Sequence, residues 1–270
     1  MNYLNNYTVF IVTALSLLIV QGCKKVVQVD LKNTASRIVI EGEITNITEE
    51  YKVTITRTVS FSDDNIFPPV TGATVQVKDS SNGIIYPFDE TSPGVYTVKN
   101  FTGVPKHIYN LYILAEGKSY TASSGMPAAV QPDSITFALN TDFNNKKDIN
   151  AVVNFKDPPG LGNYYQFIEY LNGKLVPNTF VFEDRLSDGR YIREPLFNDS
   201  TYLHKGDTLT LKMYCIDKDI YDYFFTLIQV TANNNNFQPV TPANPISNIS
   251  NGALGYFSAH TVTREKIIVY

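Results

Sequence analysis

Apolar and polar residues alternate with a period of two through most of the chain. In RIVIEGEIT, Ile38, Ile40, Gly42 and Ile44 fall on one side and Val39, Glu41 and Glu43 on the other, the pattern of a strand with one buried face. Tyr51, Val53, Ile55, Arg57 and Val59 alternate in the same way with Lys52, Thr54, Thr56 and Thr58 and predict a second strand. From Gly72 onward, GATVQVKD, IIYPFDE, GVYTV and YNLYILA are separated by Asn82-Gly83, Pro93-Gly94 and the Gly103 to Pro105 stretch. Short strands punctuated by turn residues are the rhythm of a meander or sandwich rather than of βαβ units. Ala73, Val75 and Val77 are expected to face inward, as are Tyr109, Leu111, Ile113 and Ala115. Phe61 to Gly72, with an acidic pair and Pro68-Pro69, reads as a loop. Asp63 and Asp64 there read as solvated rather than calcium-binding, because no third spaced carboxylate completes an oxygen cage.

The pattern GAxVxVxD, then GxYxV, then YxLxIxxxGxxY resembles small immunoglobulin-like and carboxypeptidase-regulatory-like sandwiches, and we bound this domain at 37–127. MPAAVQPDS carries two prolines and little periodicity, so 128–134 reads as a linker. ITFALN, INAVVNF, NYYQFIEYL and KLVPNTFVF then offer further strands, with Asn172-Gly173 as a hairpin turn whose residues both tolerate positive φ. In GDTLTLKMYCID, Leu209, Leu211, Met213 and Cys215 alternate with Thr208, Thr210, Lys212 and Tyr214. One helix is predicted near 217–232: Asp217 can cap it, and Asp219 and Asp222 suit its positive end. Ile220, Phe224, Leu227 and Thr231 hold helical spacing, with Tyr221, Phe225 and Ile228 widening the stripe. Asn233 to Asn236 is expected to end it. The last stretch, GALGYFSAHTVTREKIIVY, reads as a pair of strands. The expected fold is mainly β: two tandem β-sandwich-like domains, the N-terminal one immunoglobulin-like or carboxypeptidase-regulatory-like, and the C-terminal one, 135–270, carrying a single α-helix.

Composition matters most at the N-terminus. Val9 to Val20 is apolar apart from Thr13 and Ser16, too short to cross a hydrocarbon core that needs about 20 helical residues. It reads as a removable signal over 1–22. The run ends in VQGC, which looks like a bacterial lipoprotein cleavage box with Cys23 as the acylated residue and 23–36 as a tether. Two features depart from that pattern: Met1 to Phe10 holds no Lys or Arg, and Gln21 stands where a smaller residue is commoner. The alternative is a secreted protein whose signal happens to end near a cysteine. The chain has two cysteines; with Cys23 acylated, Cys215 has no intramolecular partner, and stability rests on a packed core. A net charge of -4 and a pI near 5.4 argue against a polyanion, so no nucleic-acid partner is expected.

Catalytic chemistry is not legible. His107, His204 and His260 share no metal-ligand spacing, and His107, beside a loop, reads as a surface residue. There is no GxSxG, and Gly160-Leu161-Gly162 lacks the spacing of a phosphate cradle. Glu183-Asp184 and Asp188 could serve as paired carboxylates for glycoside hydrolysis, but acidic turns are ordinary in sandwiches. Cys215 reads as an inert core thiol. Tyr164, Tyr165, Tyr221 and Tyr223 could form stacking platforms for a sugar or an aromatic chelate, or else be core and interface aromatics. No catalytic residue, metal ligand or cofactor is assigned.

Taken in order, the VQGC box, RIVIEGEIT, GATVQVKD with GVYTV, DPPGLGNYYQF, GDTLTLKMYCIDKDIYDYF and PISNISNGALGYFSA resemble a family of Bacteroidetes envelope lipoproteins, domain of unknown function 4249, over nearly all of the mature chain. The resemblance implies an outer-membrane lipoprotein, commonly encoded beside TonB-dependent receptors, and no agreed activity. Lys24-Lys25 stands where surface-exposed lipoproteins of such bacteria often carry an acidic run, so the face of the membrane stays open. Three readings follow: a non-catalytic accessory or ligand-binding partner of a TonB-dependent receptor, which we favour; a free-standing surface module for glycans or adhesion; and an envelope hydrolase.

Overall fold

The computed structural model describes residues 35–60, 64, 66–141, 147–197, 203–232 and 244–270. The expected signal peptide, Cys23, Asp63 and the helix-ending asparagines lie outside the described residues. Ser36–Tyr270 forms one compact unit. It is mainly β, and among the described residues its one α-helix lies in the C-terminal half.

In the first half, β1 (Ile38–Thr45), β2 (Glu49–Arg57), β3 (Thr74–Asp79), β4 (Ile85–Ser92), β5 (Val95–Phe101), β6 (Ile108–Ala115) and β7 (Lys118–Gly125) pair in the order β1-β2-β5-β4-β3-β6-β7. β4 serves two layers: Ile85 to Phe88 pairs with β3, whereas Asp89 to Ser92 pairs with β5 across an irregularity in register. The ribbon thereby folds over one core, into which Ile40, Ile44, Val53, Ile55, Val75, Val77, Tyr109, Leu111 and Ile113 project. The residues expected to face inward on β3 and β6 do so, with Ala73 packed at the margin. Every second residue is buried because the pleat sends neighbours to opposite faces.

The second half contains β8 (Pro132–Thr141), β9 (Lys147–Lys156), β10 (Tyr164–Leu171), β11 (Lys174–Leu175), β12 (Phe180–Glu183), β13 (Tyr191–Leu196), β14 (Thr208–Ile216), α1 (Lys218–Ala232) and β15 (Leu254–Ile268). β13-β9-β8 forms a three-stranded sheet. With β10, β14 and the end of β15, it encloses a second core of Val153, Phe155, Tyr165, Phe167, Leu209, Leu211, Met213 and Cys215. Cys215 is 3 % exposed, and burial pushes its thiol up, as expected for an inert core residue.

Three sequence expectations change. The terminal stretch is not a pair of strands but the single 15-residue β15. No turn former interrupts Ala259 to Arg264, so the strand runs on and changes partner: up to His260 it pairs in parallel with β1, and from Thr261 in antiparallel with β14. Both halves therefore share one 12-stranded sheet while keeping separate cores. The expected linker is also pinned. Pro132 to Ser134 already opens β8, Val130 N–H donates to Cys215 Sγ at 3.3 Å, and Val130 O accepts from Thr263 Oγ1 at 3.1 Å. KLVPNTFVF divides into β11 and β12, both paired with β10. Pro177, which lacks an N–H, stands between them and cannot continue the ladder.

The predicted helix cap is present. Asp217 Oδ1 accepts Ile220 N–H at 3.0 Å, the side-chain cap expected of Asp. α1 lays Ile220, Tyr221 and Phe224 against Tyr164, Tyr214 and Tyr256 on the outer face of the β10-β14-β15 sheet.

Candidate functional site

The densest polar arrangement lies where two loops meet at one end of the second core. β9 ends at Lys156 and DPPGLGN carries the chain across to β10; β12 ends at Glu183 and DRLSDGR carries it back to β13. Because β9 pairs with β13 and β10 with β12, these two crossings are forced side by side. Asp157, Asp184 and Asp188 are thereby brought together, with ligand-capable atoms all within 4.8 Å of one another. Asp157 is fully buried, Asp184 is 2 % exposed, and Asp188 is open to solvent.

Each carboxylate is held by backbone or side-chain donors from these two loops, with Tyr165 of β10 added at Asp157. Asp157 accepts the Tyr165 hydroxyl and, at 2.9 Å, Gly189 N–H. Asp184 accepts Gly162 N–H at 3.0 Å and the Asn163 amide at 3.2 Å. Asp188 accepts Gly160 N–H at 2.6 Å. Gly160 and Gly162 sit at φ 116° and 105°, a backbone that glycine reaches without penalty and that aims successive amides at the acids. Tyr165 is held strongly toward its neutral form by burial first and by Asp157 second.

Three hard oxygen donors suit a calcium-class cation, which takes six to eight oxygens. Here the donors present are amides and a hydroxyl, and they account for both oxygens of Asp157 and of Asp184. The arrangement ties two loops and two sheets together. As an acid and base pair for hydrolysis it is poorly placed, because Asp157 and Asp184 lie inside the loops rather than facing a cleft. Glu183, the other expected acid, pairs with Arg185 at 2.8 Å.

The four candidate tyrosines separate. Tyr165 belongs to the second core, its ring 4.9 Å from Phe155. Tyr164 and Tyr221 pack on each other at 5.1 Å between sheet and helix, and Tyr223 meets Tyr256 at 4.8 Å. Burial pushes Tyr223 up to about 12. Tyr164 and Tyr221 thus pack on each other, and Tyr165 and Tyr223 on Phe155 and Tyr256, the core and interface packing weighed against a sugar platform.

His107, expected as a surface residue beside its loop, is only partly exposed and sets its Nδ1 2.7 Å from Oδ2 of buried Asp79. His260 is buried, contacts Ser258 Oγ at 2.9 Å and stacks on Tyr214; burial holds it below the usual imidazole range. Asp157 was missed by sequence reasoning. The available signal was that DPPG and SDGR are both acidic glycine turns, but only the strand pairing places them together.

A search of curated proteins found no match to the chain. Among solved structures, the crystal structure of selenomethionine-substituted chicken interferon gamma receptor alpha chain is similar at 13 % identity, over 66 % of this chain and 88 % of that one, with a TM-score of 0.22; a likeness that slight carries no argument. Residues 24–266 match the family described as Domain of unknown function (DUF4249). With nearly the whole chain covered in this way, the protein belongs to the DUF4249 family.

Proposed function

We propose that this chain is a non-catalytic envelope lipoprotein, anchored to the outer membrane through Cys23 and acting as an accessory or ligand-binding partner of a TonB-dependent receptor. The observation that carries this reading is the start of the family match at residue 24, directly after Cys23, where a processed chain headed by an acylated cysteine would have its body begin. A single acyl chain binds a bilayer only marginally and two or more anchor it stably, so processing at Cys23 would hold the β-built body at a membrane surface. The consumption of the buried carboxylates by their own loops favours binding over turnover.

Mass spectrometry of the N-terminal peptide from native membranes tests the anchor, with a diacylated or triacylated Cys23 expected. Pull-down from mildly solubilised outer membrane tests the partner, with a receptor barrel expected. An unmodified thiol or intact leader removes the first half of the proposal, and absence of a barrel removes the second.

A further inference from the structure

The outer face of the β10-β14-β15 sheet, opposite the second core, is electrostatically divided. Register places Ile168, Lys212 and Arg264 in one cross-strand row and Tyr170, Thr210 and Lys266 in the next. Residues directly opposite, and residues two apart on one strand, share a face, so Lys212, Arg264 and Lys266 converge there. Arg264 and Lys266 are exposed, and among the described residues none of the three forms an ion pair. Glu265 stands between two of them in sequence, but register sets it opposite Leu211, with the alternate set of side chains.

A cavity of about 240 Å³ opens at this point, lined by Tyr170, Gly173, Thr210, Lys212 and Arg264. Gly173 at the hairpin turn leaves its rim open, with nothing within 4 Å of where a Cβ would stand. Lys212 Nζ lies 5.3 Å from the Tyr170 ring centroid, which holds the ammonium beside the cavity. At the other end of the same face the charge is reversed: Glu41 and Glu43 on β1 stand opposite Tyr256 and Ser258, and with Glu49 and Glu50 they line a separate groove. A chain with net charge -4 thus sets two cations, Lys212 and Arg264, on one open pocket, with Lys266 in the next cross-strand row of the same face and, among the described residues, no acidic partner paired to any of the three.

We propose that this basic pocket binds a phosphate-class oxyanion. Arg264 presents the planar fork that matches such an anion in two hydrogen bonds, Lys212 supplies a point charge, and the Thr210 hydroxyl is a neutral donor within the same lining. The volume suits a single phosphorylated headgroup or small molecule rather than a polymer. The inference concerns this face alone and does not depend on acylation at Cys23.

The test uses residues 24–270, which contain the whole compact unit Ser36–Tyr270 and carry neither the apolar 1–22 segment nor the acylated cysteine, so that neither contributes to vesicle binding. Glycerol 3-phosphate is titrated by calorimetry, and co-flotation is measured with phosphatidylglycerol and with phosphatidylcholine vesicles. Binding to phosphatidylglycerol alone assigns a lipid headgroup, and binding to glycerol 3-phosphate assigns a free phosphorylated ligand. In either case Lys212→Gln and Arg264→Gln should each weaken binding about tenfold, the loss expected for a charge-assisted hydrogen bond. Lys118→Gln, on β7, should leave binding unchanged, and added salt should weaken it. Lys266→Gln, at an exposed position, provides a further variant should Lys212→Gln fail to fold. Failure of both probes to bind, or binding that survives the substitutions, overturns the proposal.

Discussion

Asp217 Oδ2 accepts a hydrogen bond from Ser124 Oγ at 2.5 Å, so the residue that caps α1 is also fastened to β7 in the first half of the molecule. Gly125 N–H donates to the same oxygen at 3.0 Å, and Ser124 Oγ in turn accepts Ala259 N–H from β15 at 2.8 Å. The Asp217 carboxylate thus joins the helix to β7, and Ser124 carries the link on to β15. Asp217→Ala removes the cap and leaves buried donors unpaired, and should cost about 2–4 kcal/mol from the cap and the orphaned donors together. Ser124→Ala alone should cost less. The double variant should be less destabilised than the sum of the singles, because both lose the same contact; chemical denaturation of all four proteins checks this.

Gly255 tests the shared strand. Its φ is +89°, and an added Cβ would lie 1.9 Å from the Ile40 carbonyl oxygen, a backbone atom that cannot swing aside. Gly255→Ala should separate β1 from β15 and destabilise by more than about 4 kcal/mol, the range reserved for gross local disruption. Gly117→Ala is the control. It has a similar φ of +72° and open space around it, so only the conformational penalty of about 1 kcal/mol applies. Comparable losses at the two sites would show that the β1-β15 contact is not tight.

Much of this architecture is legible in the sequence where a local rule decides it. The alternation in RIVIEGEIT and YNLYILA predicts the buried sides of β1 and β6. Asn172 and Gly173 take the positive φ that their hairpin requires, 51° and 82°, and Asp217 caps the helix. Partners chosen at long range are not legible. Nothing in AHTVTR shows that β15 exchanges β1 for β14 at His260, because the strand pattern continues through the change. Likewise Asp157 meets Asp184, and Lys212 meets Arg264, only through strand register.

Glu194 gives the protein a pH dependence. It lies opposite Val153 on β9, on the core side of the edge strand β13, and burial pushes it up to about 7 from an ordinary 4.5. The folded state therefore holds the proton more tightly than the unfolded state. This contribution to stability is fully present below pH about 4.5 and is lost as pH rises to about 7. Glu194→Gln should remove that loss. Urea denaturation should show the variant gaining on the natural protein between these pH values, and parallel curves would refute the assignment.

The acidic loops are tested by changing charge without shape. Asp184 presents one oxygen to Gly162 N–H and the other to the Asn163 amide. An asparagine can satisfy only one of them, because its own amide must face a donor wherever it is turned. Asp184→Asn should therefore destabilise by about 1–3 kcal/mol, the cost of an unsatisfied buried group, and approach the effect of Asp184→Ala. Asp188→Asn, exposed and bound through one oxygen to Gly160, can turn its carbonyl inward and should cost well under half as much; thermal melts of the three variants beside the natural protein check this.

The edge of β7 carries the last prediction. As the terminal strand of the large sheet, β7 would offer a row of unpaired amides and carbonyls to any other chain. The segment Asn248 to Asn251 covers that row: Ser250 N–H donates to Thr121 O at 2.8 Å, Ser250 Oγ accepts Thr121 N–H at 2.8 Å, and Asn251 Nδ2 donates to Ser119 O at 3.4 Å. Asn248 fixes the cover by exchanging two hydrogen bonds with the Phe257 backbone, at 2.8 and 3.0 Å, as a paired strand residue would. The PISNISNG sequence is thus a cap for an edge strand and a lead into β15. Asn248→Ala should cost about 1–3 kcal/mol through two orphaned backbone groups, and release of the cover should raise concentration-dependent aggregation. Ser250→Ala, which loses only the side-chain half of its pairing, should aggregate less. Light scattering at matched fractions of folded protein separates edge exposure from simple loss of stability, and equal aggregation of both variants with the natural protein would show that the segment does not guard the edge.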